Sequence, residues 1–143
     1  MIFFPQDVSS AWDKKGIFRA GATDVWDRYR KGLIREDIID LRDIGSLHED
    51  ISISEEGEVV IPAMTTIREV GDKAKNWGHR ALEQAANELA TPAIRNVATL
   101  GGNIMQEVRC SYFRSGMSFC HKTGGQYCLA REGDQDCIQV RLS

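Results

Sequence analysis

Three short apolar runs, Ile2–Phe4, Ile17–Ala20 and Ile38–Leu41, alternate with polar stretches that carry turn and helix signals, and this alternation most constrains the fold of the first half of the chain. Pro5 ends the first run. Residues Val8 to Lys15 predict a helix that stops before Gly16. Gly21-Ala22-Thr23-Asp24 predicts a tight turn opening a helix over Val25 to Lys31, because small residues permit the bend and Thr or Asp can cap the first turn. Ile51–Ile53 and Val59–Ile61 flank Glu56-Gly57 as a hairpin. The expected class is α+β, with residues 1–75 forming a mixed α/β first lobe.

The second half reads differently. Ala81, Leu82, Ala85, Ala86 and Leu89 recur at helical spacing and predict an amphipathic helix that stops near Pro92. Thr99-Leu100-Gly101-Gly102-Asn103-Ile104 then places paired glycines in an apolar context, where backbone can approach a ligand or another chain closely. Beyond Gln106 the mixture of Gly, Ser, Cys and charge predicts irregular loop. Residues 76–143 are expected to begin a second lobe, with a cysteine-rich loop over 106–137.

At 143 residues, 42% of them hydrophobic and 27% charged, the chain has material for one compact domain or two small lobes. A net charge of −3 with interspersed signs offers no basic field, so neither nucleic acid nor an anionic membrane surface is an expected partner. Met1 to Ser10 lacks a positive n-region, and no segment approaches membrane-spanning length, so the expected location is the cytoplasm. In that reducing compartment four cysteines are poor disulfide candidates. Yet Cys110, Cys120, Cys128 and Cys137 all lie in the last third of the chain, which asks for a local reason such as a metal. Their spacing, C-x9-C-x7-C-x8-C, lacks the C-x-x-C pairs of zinc knuckles and leaves unmetallated thiols, zinc and an iron–sulfur cluster all open. His48, His79 and His121 are scattered, with no triad partner and no acid–base constellation.

A strand, a small-residue turn and a helix start, as in Arg19-Ala20-Gly21-Ala22-Thr23-Asp24, can present N–H groups and a positive dipole end to a pyrophosphate, although most such junctions bind nothing and Asp24 can equally be a cap. Thr91-Pro92-Ala93-Ile94-Arg95-Asn96-Val97-Ala98-Thr99-Leu100-Gly101-Gly102-Asn103-Ile104 resembles the I-R-N-x-A-T-x-G-G-N signature of the FAD-binding subunit in the xanthine dehydrogenase and carbon monoxide dehydrogenase family. Arg19 to Val25 resembles the same family's A-G-G-T-D-L turn, with Ala22 standing where a second glycine is usual.

The resemblance implies a two-lobed FAD-binding domain of the molybdopterin dehydrogenase type, here with an incomplete second lobe. It implies that Arg19, Ala20, Gly21, Ala22, Thr23, Asp24 and Val25 hold the FAD pyrophosphate. Thr99, Gly101, Gly102 and Asn103, on the other lobe, would contact flavin and phosphates. Arg95 and Asn96 are expected to brace the turn, and Leu89 either approaches the cofactor or simply packs. Arg109-Cys110-Ser111-Tyr112-Phe113-Arg114, with Cys120 and Gly124-Gly125-Gln126-Tyr127-Cys128, resembles the inserted loop of 4-hydroxybenzoyl-CoA reductase and the periplasmic-type aldehyde oxidoreductases, which implies a 4Fe–4S cluster on Cys110, Cys120, Cys128 and Cys137.

Function follows the same resemblance. The expected protein is an oxidoreductase subunit, or a fragment of one, that passes electrons through FAD and the cluster between a molybdopterin-binding large subunit with its 2Fe–2S small subunit and an external electron carrier. The alternative expectation is a truncated assembly or binding module that keeps the fold without full FAD binding.

Overall fold

Ile38–Asp40 forms the central strand of a small parallel sheet, and its three residues are all buried, as a strand covered on both faces demands. The computed structural model describes residues 1–129 and 131. Within them the chain divides into two compact units that interleave along the sequence: Met1–Thr23 with Glu36–Met105, and Asp24–Arg35 with the segment from Gln106 onward.

In the first unit, β1 (Ile2–Phe3) and β2 (Ile17–Arg19) pair in parallel on either side of β3 (Ile38–Asp40), in the order β1-β3-β2. Phe3 and Phe18 both register with Ile39, and Arg19 registers with Asp40. Helix α1 (Val8–Trp12) starts at Asp7, whose carboxylate accepts the Ser10 N–H at 2.7 Å. Its Ala11 packs with Ile39 and Ile44 in a core joined by Phe3, Leu41 and Leu47. The helix expected to reach Lys15 ends at Trp12, leaving Asp13, Lys14 and Lys15 exposed. Gly16 follows, where a Cβ would overlap the Asp37 carbonyl. The hairpin forms as expected from β4 (Ser52–Ile53) and β5 (Val59–Val60), with Gly57 at φ +84°.

Helix α3 (Ile67–Asn76) was not anticipated. It opens with a capping box, in which Thr66 Oγ1 accepts the Glu69 N–H and the Glu69 carboxylate accepts the Thr66 N–H. It buries Ile67, Val70, Gly71 and Ala74 at i, i+3, i+4 and i+7. The expected amphipathic helix is α4 (Arg80–Glu88), which lies against α3 so closely that a Cβ on Gly71 would come within 3.2 Å of the Ala86 Cβ. Pro92 does not merely end this helix; it occupies the first turn of α5 (Pro92–Arg95), where its missing N–H costs nothing. Helix α6 (Leu100–Ile104) follows, and Ile67, Ala86 and Ala98 form a second core with Leu89 and Leu100. The boundary expected after residue 75 therefore falls near the end of α3, inside one compact unit rather than between two.

The second unit contains α2 (Val25–Arg30), ended by Gly32 at φ +70°, and the one-turn helix α7 (Ser111–Arg114). The rest of residues 106–129 is loop with one 3-10 turn at His121–Thr123, in keeping with the irregular character expected. No helix among the described residues is long and apolar enough to cross a membrane.

Candidate functional site

The carboxyl end of β2 runs directly into the first glycine turn. Gly21 must be glycine, because a Cβ there would overlap the Val97 carbonyl and stand 3.0 Å from the Ala98 Cα. Ala22, buried, takes the left-handed conformation at φ +64°, which is the job a second glycine would do without strain. Among the described residues, none accepts a hydrogen bond from the backbone N–H of Gly21, Ala22 or Thr23. Successive amides around a left-handed residue are the setting in which backbone forms an anion-binding concavity.

The second glycine turn is built the other way. Leu100 and Gly101 donate their N–H groups to Thr65 and Ala63 carbonyls, each at 2.8 Å; Gly102 donates to Thr99 Oγ1 at 3.1 Å and Asn103 to the Thr99 carbonyl at 2.9 Å. All four backbone amides of the first turn of α6 are engaged within the protein, so this helix start offers no free backbone donor. Its glycines serve close packing: a Cβ on Gly101 would sit 2.9 Å from the Ala63 Cβ, and one on Gly102 would sit 2.8 Å from Thr99 Oγ1 and 3.5 Å from the Ala20 Cβ. The two turns, expected on separate lobes, thus adjoin inside the first unit. Arg95 braces the neighbourhood by donating to the carbonyls of Leu89 and Ala90 at 3.2 and 2.8 Å, and Leu89 packs on the second core.

The charged members of the predicted turn point to partners that the sequence did not reveal. Arg19 pairs with Asp40, a fully buried carboxylate at the end of β3 that also accepts from Arg42 Nη2 at 2.7 Å. Burial acts to raise the Asp40 carboxyl, but the Arg42 side chain, the Arg42 N–H and the Arg19 charge outweigh it and hold the group below the usual carboxylate range. The apolar run ending in Asp40 was the signal for this centre, since an acid at the buried end of a strand requires a partner.

In the second unit, Asp24 is buried and makes no side-chain capping bond; it pairs instead with Arg114 and accepts the Glu107 N–H at 3.3 Å. Val25, half-buried, begins α2. Lys122 meets Glu107 at 2.6 Å and, as the largest influence, draws the Glu107 carboxyl below its usual range. Glu107 and Lys122 were not singled out from sequence, and Arg114 was read only as the end of the cysteine-bearing segment, because its partner Asp24 lies ninety positions away.

Cys110 stands at the start of α7 and is half-buried, Cys120 is buried and Cys128 is half-buried. Cys137 lies outside the described residues. Among the described residues no three His, Cys, Asp or Glu side chains gather into a group that could hold a metal ion, so the expected thiolate set is not brought together by them.

Comparison with known proteins agrees with this architecture. The xanthine dehydrogenase FAD-binding subunit of Escherichia coli O157:H7 is 38% identical over 93 residues, covering 59% of this chain and 30% of that protein. A chain of quinoline 2-oxidoreductase from Pseudomonas putida 86 superposes with a TM-score of 0.63 at 25% identity, over 71% of this chain and 37% of that one. Carbon monoxide dehydrogenase from Hydrogenophaga pseudoflava gives a TM-score of 0.64 at 26% identity, over 73% of this chain and 38% of its own. The chain thus spans about a third of the length of these relatives. The sequence model of the FAD binding domain in molybdopterin dehydrogenase matches residues 8–117, and with most of its length so matched the chain belongs to that family of FAD-binding domains.

Proposed function

We propose that this chain forms part of the FAD-binding, electron-transferring subunit of a molybdenum-containing hydroxylase or dehydrogenase. The observation that carries the reading is the turn after β2, where the amides of Gly21, Ala22 and Thr23 have no acceptor among the described residues while those at the start of α6 are all engaged. Those three amides fit a pyrophosphate, the group that distinguishes FAD from a mononucleotide. Ala20 and α6 would back the turn, with Gly102 letting α6 approach Ala20, and Asn103 is the side chain of that helix start with a half-exposed amide to offer the flavin. With FAD bound, the chemistry supplied is acceptance and release of electrons, which the chain positions rather than performs. Its partners in this reading are a molybdopterin-binding large subunit, a 2Fe–2S small subunit and an external electron carrier, in the cytoplasm.

The test is titration of the purified chain with FAD, FMN and ADP. FAD should bind, ADP should compete, and FMN, which lacks the second phosphate and the adenylate, should bind roughly tenfold more weakly or worse. FMN binding as tightly as FAD would sink the pyrophosphate assignment.

A 4Fe–4S centre is the finer part of the proposal and rests on the resemblance of Arg109–Arg114, Cys120 and Gly124–Cys128 to the inserted iron–sulfur loop. The described residues alone do not assemble the site. Anaerobic reconstitution of a 4Fe–4S centre on Cys110, Cys120, Cys128 and Cys137 would give about four irons and four sulfides per chain, mostly lost in Cys120→Ser. Stoichiometric zinc without iron would refute it.

A further inference from the structure

Asp24 lies in the stretch that the family resemblance gives to the flavin, yet its carboxylate faces the cysteine-bearing segment. It pairs with Arg114, ninety positions along the chain, and both side chains are nine-tenths or more buried. Arg114 does more than neutralise it: Nε donates to the Val108 carbonyl at 2.9 Å and Nη2 to the Glu107 carbonyl at 2.8 Å, a use of the guanidinium fork that a point charge cannot copy. Asp24 returns the contact by accepting the Glu107 N–H. The Phe113 ring sits beneath the cluster, with Arg28, Arg114 and Lys122 at 6.0, 5.9 and 5.7 Å from its centroid.

The placement of these contacts around the thiols is specific. Arg114 grips residues 107 and 108 just before Cys110 and itself sits at the end of the helix that has Cys110 at its start. Lys122, two residues after Cys120, is tied to Glu107 in the same network. Cys110 and Cys120 are therefore each bracketed by residues whose positions trace back to Asp24.

We propose that Asp24 and Arg114 are a positioning pair that holds the segment carrying Cys110 and Cys120 against α2, whether or not flavin or iron is bound. This goes beyond the flavin reading and does not depend on it. The alternative roles for Asp24, helix cap or flavin ligand, both require a carboxylate free to turn elsewhere, and this one has three protein partners: Arg114, Glu107 and Arg28, the last at 3.7 Å.

The experiment is peptide-resolved alkylation of the reduced full-length chain under anaerobic conditions, comparing Cys120 in the wild type, Arg114→Gln, Arg114→Lys, Asp24→Asn and the double variant Asp24→Asn/Arg114→Gln. Losing either partner leaves a buried charge with only a longer ion pair, Arg28 at 3.7 Å from Asp24 or Asp27 at 3.6 Å from Arg114, so each single variant should alkylate Cys120 roughly tenfold faster or more, with hydrogen exchange in α3 unchanged. Arg114→Lys should not restore protection, and the double variant should be no worse than the poorer single one. Wild-type protection in Arg114→Gln, or single effects that add fully in the double variant, would overturn the proposal. If a single variant fails to accumulate, hydrogen exchange of the wild type decides: the Glu107 amide and the amides of α2 should open together, and independent opening would overturn the pair.

Discussion

Ala22 is one residue at which this chain departs from the A-G-G-T-D-L turn it resembles, and the structure turns that departure into an energy. An alanine at φ +64° carries the left-handed penalty of about 1–2 kcal/mol, offset in part by its lower freedom in the unfolded chain. Ala22→Gly should therefore stabilise the protein by about 0.5–1 kcal/mol, read as a raised urea midpoint at unchanged slope, and should keep FAD binding because the amide remains. Asp40 makes the second residue-scale prediction. Its folded carboxyl lies below its ordinary value, so the stability it contributes is present above the ordinary carboxylate range and is lost as pH falls through the lower, folded value. Stability should decline below about pH 4, and Asp40→Asn should be less stable at neutral pH with a flatter acid profile. Parallel curves for the two proteins would assign the acid loss to other groups, Glu107 first, since its carboxyl is lowered by Lys122 in the same sense.

At the scale of elements, α3 depends on its first turn. Thr66→Ala removes the hydroxyl that accepts the Glu69 N–H and half of the capping box, so it should cost about 1 kcal/mol, measured by thermal or urea unfolding; no change would mean that packing alone sets the helix start. The helix is faint in the sequence. Its buried stripe is Ile67, Val70, Gly71 and Ala74, two of them small, so the apolar period is faint, and Gly71 reads as a breaker until Ala86 is known to lie against it. The strands and hairpin, by contrast, were legible because β-branched runs bounded by Gly or Pro signal themselves locally. So was the loop character beyond Gln106. The turn at Gly21 to Asp24 was legible from sequence, whereas Gly101 and Gly102, expected in a turn, lie in the first turn of helix α6, and the roles of the two segments were not separable there. Whether an amide is free depends on Thr65 and Ala63, more than thirty residues before Gly101. Asp24 was legible as special and illegible in direction, because its partner Arg114 lies ninety positions along the chain.

For the molecule as a whole, the two proposed cofactor sites fall in different compact units, since the free amides of Gly21, Ala22 and Thr23 belong to one and Cys110, Cys120 and Cys128 to the other. A ligand stabilises the structure that binds it, by an amount set by its concentration over its dissociation constant. FAD should therefore slow hydrogen exchange around residues 20–23 and in α6, whose Gly102 lies against Ala20, and should leave Cys120 alkylation nearly unchanged. Anaerobic iron and sulfide should do the reverse, protecting 106–129 from alkylation without touching exchange at 20–23. Both ligands together should give the sum of the two patterns, because neither site shares a residue with the other. Protection of the cysteine segment by FAD alone, with the 20–23 turn unaffected, would move the flavin out of the first unit and overturn the division of labour drawn from the free and engaged amides.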